Sequence, residues 1–203
     1  MFARLVAPRP GTVGRLPGVP PVLRAAWSPS DLKRPGPLLV AIAGFVIAAP
    51  VATVMACNVH EVGHGAVATI LGWEVERIDL CLPTGGRVVY ARVGTWAGNI
   101  QGYAGGFLAA VFLVGVYLLA FHRGAKPPRG PGWWFAGLGL VLPVGPQLVN
   151  GILEGAVRPG EDYTQLYAWA LPPLVIVATV ATATIYVRRW RVVWESSSAR
   201  QPP

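Results

Sequence analysis

"CNVHEVGHGAVATILGW", residues 57–73, places two histidines and a glutamate inside an apolar segment long enough to cross a membrane. Titratable groups are costly in hydrocarbon, so their presence there indicates a functional site. His60, Glu61 and His64 form the motif HExxH. On a helix, positions i and i+4 share one face, so both imidazoles can direct a nitrogen to one Zn²⁺ ion. Glu61, next to the first histidine, is then placed to act as a general base toward water.

The composition around this motif is that of an integral membrane protein. Of the 203 residues 53% are hydrophobic and 13% are charged, against about 25% charged in soluble domains. The net charge is +8, but the basic residues flank the apolar runs, which indicates a lipid bilayer and no nucleic acid as the partner. Cys57 and Cys81 are predicted to form no disulfide framework, and Cys57 is interpreted as a small apolar filler.

Four apolar stretches approach or exceed the roughly 20 residues that span a bilayer. They are residues 37–73 and about 102–121, 133–157 and 163–187. Two short runs rich in β-branched residues, 75–82 and 87–93, flank a Pro-Thr-Gly-Gly turn and predict a β-hairpin. The expected fold is an all-α polytopic membrane protein with about four transmembrane helices, the first long and kinked near Pro50. A small β-hairpin follows that first helix. Whether residues 37–73 cross once or twice stays open.

The distribution of charge favours a single crossing. In that case both chain termini and the loop at 121–132 lie on one side and hold 13 of the 17 lysine and arginine residues. The positive-inside rule then places both termini in the cytoplasm. The predicted domains are a disordered basic tail (1–36), a membrane-embedded domain (37–187) and a basic C-terminal tail (188–203).

A catalytic zinc site needs a third protein ligand. His122 is a poor candidate because it lies at the far end of the second span. Three acids lie near the junction of the third and fourth spans, on the same side as the end of the HExxH helix: Glu154, Glu161 and Asp162. Asn150 lies four residues before Glu154, so the two share a helix face, and they can also be read as a hydrogen-bonded pair between helices.

These features together resemble the site-2 protease group of intramembrane zinc metallopeptidases, especially its small bacterial members. The resemblance rests on HExxH in a transmembrane helix, the hairpin, the small-residue segment "GYAGG" (102–106), and an Asn with a downstream Asp. It implies that His60 and His64 bind zinc. It also implies that Glu61 is the general base.

The third ligand in that group usually lies in an Asn…Leu-Asp-Gly pattern, from which this chain departs. "NGILEG" (150–155) has Glu where Asp is expected, and "GEDYTQL" (160–166) has Asp without the glycine. Asp162 is the favoured third ligand, and Glu154, supported by Asn150, is the next candidate. Two predictions of the depth of the site disagree. The resemblance implies a site nearer the cytoplasm, whereas the charge count places His60 nearer the outer end of its helix.

The expected function is a zinc-dependent intramembrane metalloprotease of the bacterial cell membrane, with one catalytic zinc. Its substrates would be membrane-embedded or membrane-adjacent proteins or peptides, and the hairpin offers a strand edge to an extended substrate. One alternative is a non-catalytic zinc-binding scaffold of the same fold. Another is a small transporter in which Glu154 relays protons.

Overall fold

Helices dominate the structure, and a small β-hairpin follows the first of them. The computed structural model describes residues 29–81, 86–91, 96–121, 130–156 and 163–198. In chain order the elements are a 3₁₀ helix (Pro29–Lys33), α1 (Pro35–Ile70), β1 (Val75–Asp79), β2 (Arg87–Tyr90), α2 (Trp96–Phe121), α3 (Pro131–Val141), α4 (Val144–Ala156) and α5 (Tyr163–Ser198).

The described residues contain four helical segments that are long and apolar enough to cross a membrane. They are Pro35–Ile70, Asn99–Phe121, Pro131–Ala156 and Trp169–Val192. The predicted four spans, with a hairpin between the first two, are therefore confirmed, and the chain has the build of an integral membrane protein. The third segment consists of α3 and α4, which are separated at Leu142 and Pro143.

α1 is one continuous helix, so the stretch for which two crossings stayed open forms a single element. Arg34 is extended before the helix (φ −93°, ψ 138°) and Pro35 occupies its first turn, where a missing N–H costs nothing. Pro50 lies inside the helix. His60 and His64 lie beyond this proline, in a part of the helix that has no break.

A glycine ends α1 and turns the chain toward the hairpin. Gly72 has a φ of 76°, a left-handed conformation that glycine adopts at no steric cost. Its N–H donates to the carbonyl of Thr69 at 3.0 Å, and the N–H of Trp73 donates to the carbonyl of Ala68 at 2.9 Å. Trp73 also packs on Ala68. This pairing is the Schellman arrangement, which satisfies carbonyls that a helix end would leave open.

The hairpin is antiparallel and carries two exposed ion pairs. Asp79 lies opposite Arg87 in the register. Nε of Arg87 donates to Asp79 Oδ2 at 2.9 Å, and Nε of Arg77 donates to Oδ1 at 2.9 Å. The hydrogen bond from Arg87 lowers the pKa of the Asp79 carboxyl below its usual range. The observed strands lie inside the predicted ones, and residues 82–85 and 92–95 lie outside the described part of the chain.

The two ends of the helix bundle differ in the residues and elements that they contain. α1 contacts α2 and α3, α2 contacts α4, and α4 contacts α5. At the end away from the hairpin lies an aromatic core, in which the Tyr186 hydroxyl donates to the carbonyl of Trp134 at 2.7 Å. Tyr117 and Trp190 are buried beside them. The hairpin end contains the end of α1, the start of α2 and the end of α4.

The predicted domain boundaries stay predictions. Residues 1–28 and 199–203 lie outside the described residues. Parts of both predicted tails are helical, since the 3₁₀ helix lies within 1–36 and α5 continues to Ser198.

Glycines let α2 and α4 approach until their backbones touch. A Cβ added to Gly106 of α2 would lie 2.6 Å from Cα of Gly151 in α4, and one added to Gly102 would lie 2.9 Å from Cα of Gly155. Close contact of this kind stabilises helix pairs in membranes because lipid gives no hydrophobic driving force between helices. It also brings α4 next to the histidine-bearing face of α1.

Gly106→Ala should therefore destabilise the protein by about 1–3 kcal/mol, because the added methyl group meets backbone atoms that cannot move aside. Thermal unfolding in detergent measures the effect. Gly115→Ala is the matched control in the same helix, since a Cβ there meets nothing within 4 Å. Equal melting temperatures for the two variants would contradict the packing described for Gly106.

Candidate metal centre

His60 and His64 lie one turn apart on α1 and direct the same ring nitrogen to one point. Their Nε2 atoms are 2.9 Å apart. The side chains retain only 6% and 12% of their exposure, so both rings lie inside the bundle. Helical spacing puts both rings on one face of α1, as the sequence predicted.

The other nitrogen of each ring faces an oxygen acceptor. Nδ1 of His60 lies 2.9 Å from Oε1 of Gln147 in α4. Nδ1 of His64 lies 2.8 Å from the backbone carbonyl oxygen of Gln101 in α2. A carbonyl oxygen only accepts hydrogen bonds, so each Nδ1 carries a hydrogen, and in the neutral ring that leaves the lone pair on Nε2. Partners of this type orient histidine ligands in metal sites.

Glu154 of α4 completes the group. Its Oε2 lies 3.0 Å from Nε2 of His60 and 3.2 Å from Nε2 of His64. Its Oε1 accepts a hydrogen bond of 3.1 Å from Nδ2 of Asn150, so the predicted Asn150–Glu154 pair is present. That bond turns the second carboxylate oxygen toward the histidines.

The donor set fits a divalent metal ion. Oε2 of Glu154 is buried and has no hydrogen-bond partner among the described residues. Two imidazole lone pairs and a carboxylate oxygen then meet within a few ångströms, and a cation offsets their mutual repulsion. Two histidines and a glutamate are also a ligand set that zinc uses in catalytic sites.

A glycine of α2 keeps the centre open. A Cβ on Gly105 would press on Nε2 of His64 and would lie 2.8 Å from Cδ2 of His60. Any other residue at this position would put its side chain where the ring nitrogens converge. The small-residue segment that the sequence singled out therefore contributes space at the centre, beyond helix packing.

Asp162 and Glu161 lie outside the described residues, as does His122, which the sequence made a poor candidate. The preference for Asp162 therefore stays a prediction. Glu154, the next candidate, is the acid that the structure brings to both histidines. The signal for it was already in the sequence, since it is the carboxylate inside a span with an Asn four residues earlier.

Glu61 lies beside the centre but points to the hairpin. Its carboxylate oxygen lies within 4.8 Å of the sulfur atoms of Cys57 and Cys81. A Cβ on Gly86, just before β2, would lie 2.8 Å from Cδ of Glu61. The side chain of Glu61, the predicted base, is thus packed between its own helix and the ends of the two strands.

The prediction for the cysteines was wrong. Cys57 and Cys81 form a disulfide, with Cα atoms 5.9 Å apart. The 24 residues of separation hid the pair, because the chain must turn at Gly72 and fold β1 back along α1 before the two meet. The N–H of Cys81 also donates to Oδ1 of Asn58 at 2.8 Å. Cys57 is therefore neither a filler nor a metal ligand here.

The hairpin also reaches the centre through a hydrogen-bond chain. The hydroxyl of Tyr90 in β2 donates to Oε1 of Gln101 at 2.8 Å, and the backbone of the same glutamine holds His64. Tyr90 in turn stacks on Trp73, with ring centroids 5.3 Å apart. Sequence reasoning missed both Gln101 and Gln147, because the residue type alone does not mark a glutamine as a partner of histidine.

Comparison with protein-family models places residues 34–149 in a family described as Peptidase M50B-like. The match covers more than half of the chain and includes the HExxH motif, the hairpin and Gln147. No match was found among curated proteins or among solved structures.

Gln147→Leu should lower the affinity for zinc by about 10–100-fold, because His60 loses the acceptor that fixes its tautomer. Isothermal titration of the metal-free protein with Zn²⁺ measures the change. Gln101→Leu is the matched comparison: it removes the contact with Tyr90 but keeps the backbone carbonyl that orients His64. Equal losses in the two variants would contradict the assignment of Gln147.

Proposed function

The chain belongs to the Peptidase M50B-like family, which is related to the site-2 proteases, and we propose that it is a zinc-dependent intramembrane metalloprotease. It would hydrolyse peptide bonds of membrane-embedded or membrane-adjacent substrates. The observation that carries the proposal is the convergence of His60, His64 and Glu154 on one point inside a four-span bundle. Glu61 of the HExxH motif lies beside that point.

His60, His64 and Glu154 are the proposed zinc ligands. The choice of Glu154 over the predicted Asp162 is supported by its distances to both ring nitrogens and by the bond from Asn150. Bound zinc supplies a Lewis acid that polarises the scissile carbonyl and lowers the pKa of water toward about 7.

The chain's own residues supply the rest of the proposed mechanism. Gln147 and the carbonyl of Gln101 hold the histidine rings in the orientation that directs Nε2 to the centre. Glu61 takes a proton from the attacking water and returns it to the leaving amine nitrogen. Burial of the centre strengthens these electrostatic interactions, because little water is present to screen them.

The proposed location is a bacterial cell membrane with both termini in the cytoplasm. Among the described residues, the end away from the hairpin carries Lys33, Arg34 and three arginines of α5: Arg188, Arg189 and Arg191. The two arginines of the hairpin are outnumbered there by Glu74, Glu76 and Asp79. This asymmetry supports the orientation that the positive-inside rule gives.

A non-catalytic zinc-binding scaffold is the second candidate. It is favoured by one observation: the carboxylate of Glu61 packs against Cys81 and Gly86 rather than joining the metal cluster. The two candidates differ in what Glu61 must do, and a variant at that position separates them.

Glu61→Gln should keep stoichiometric zinc and lower cleavage by about 10²–10⁴-fold, the usual contribution of a general base. Metal content by mass spectrometry and cleavage of single-span reporter peptides in proteoliposomes measure both. Glu74→Gln, an exposed acid beyond the end of the same helix, should change neither. Full cleavage by the Glu61→Gln protein would rule out the proposed base, and absence of zinc from the unmodified protein would rule out the enzyme.

Glu154→Gln and Asp162→Asn decide the third ligand. We expect Glu154→Gln to weaken zinc binding by more than the roughly 10–100-fold that an outer partner contributes, because it removes a negative charge and a donor oxygen. Asp162→Asn should retain zinc. The opposite result in the same titration would transfer the role to Asp162.

A further inference from the structure

The disulfide lies on the same face of α1 as the proposed base. Cys57 and Glu61 are four residues apart, and residues with this spacing are neighbours on a helix surface. Cys81, which follows β1, is joined to Cys57 and is itself almost fully buried. The covalent link between the hairpin and α1 therefore lies one helical turn from Glu61 and from His60.

The strand ends pack against one side of Glu61 at this link and leave the residue half-buried. A Cβ on Gly86 would lie 2.6 Å from Sγ of Cys81 and 2.8 Å from Cδ of Glu61. Gly86 therefore touches both the disulfide and the carboxyl group. A peptide bond that approaches Glu61 from the hairpin side therefore meets these strand ends.

Other contacts hold the hairpin elsewhere. Tyr90 bonds to Gln101, and Ile78 lies over Gly65, where a Cβ would meet its Cδ1 at 2.6 Å. After reduction, the hydrogen bond from the N–H of Cys81 to Asn58 would hold this part of the hairpin without a covalent link and would open more often. Loss of the disulfide would thus loosen the strand ends over Glu61 and leave the rest of the hairpin anchored.

The charge asymmetry agrees with an oxidised pair. In the proposed orientation the hairpin end faces away from the cytoplasm. Disulfides form and persist in oxidising, extracytoplasmic compartments. A reductant that acts on Cys57 and Cys81 must then reach the bundle from that side.

We propose that the Cys57–Cys81 disulfide is a redox-controlled latch that keeps Glu61 covered, and that its reduction gives substrate access to the site. The inference rests on the proposed protease function. A dithiol donates two electrons and two protons: the S–S bond breaks, two thiols form, and the dithiol becomes a disulfide. The rate of cleavage would then depend on how much reduced thiol is present on the outer side of the membrane.

The test uses the whole 203-residue chain in vesicles, oxidised or treated with tris(2-carboxyethyl)phosphine. This phosphine takes up oxygen from water as it converts the disulfide to two thiols. The variant with both Cys57→Ser and Cys81→Ser is the control, because the chain has no other cysteine and any effect of the phosphine on it is unrelated to the latch. Three quantities are measured: amide hydrogen exchange of residues 74–81, the rate of zinc extraction by EDTA, and cleavage of reporter peptides.

Reduction should raise exchange at the Cys81 amide roughly tenfold or more, as local opening does. Zinc extraction and cleavage should rise with it, and the double-serine variant should show the raised values without phosphine. Unchanged exchange, or slower cleavage after reduction, would overturn the latch. Raised exchange and zinc extraction with no cleavage in either state would support the latch and overturn the proposed protease function.

Discussion

The close approach of α2 to α1 at Gly105 is the contact on which the candidate metal centre depends. Without a side chain at that position, the backbone of α2 comes near both histidine rings. The same approach brings the carbonyl of Gln101 to His64. Because α2 also packs on α4 through glycines, it brings Glu154 and Gln147 to the other side of the rings. Side chains of α1 and α4 thus meet beside the glycine-rich part of α2.

The hairpin adds a second layer to this arrangement. It is held to α1 by a disulfide at one end and to α2 by Tyr90 at the other. The ion pairs of Asp79 lie on its outer, exposed part and have little effect on stability, as is usual for surface pairs. The buried contacts therefore determine where the hairpin lies over the HExxH helix.

Local features were predictable from the sequence, and features that depend on helix rotation were not. The HExxH pair follows from helical spacing, the spans follow from apolar length, and the hairpin follows from its turn. The ranking of Glu154 below Asp162 came from a family pattern. Its place at the histidines depends on how α4 turns after Leu142 and Pro143. The Cys57–Cys81 link likewise required the path of the chain after Gly72, which composition does not contain.

The length of α1 has a consequence for the membrane itself. Its 36 residues extend about 54 Å at 1.5 Å per residue, whereas the hydrocarbon core is about 30 Å thick. A helix this long protrudes or tilts, and the extent of either depends on the local thickness of the bilayer. The depth at which His60 lies below the lipid headgroups is therefore a property of the protein and its lipids together. A thinner bilayer brings the same site closer to water without any change in its side chains.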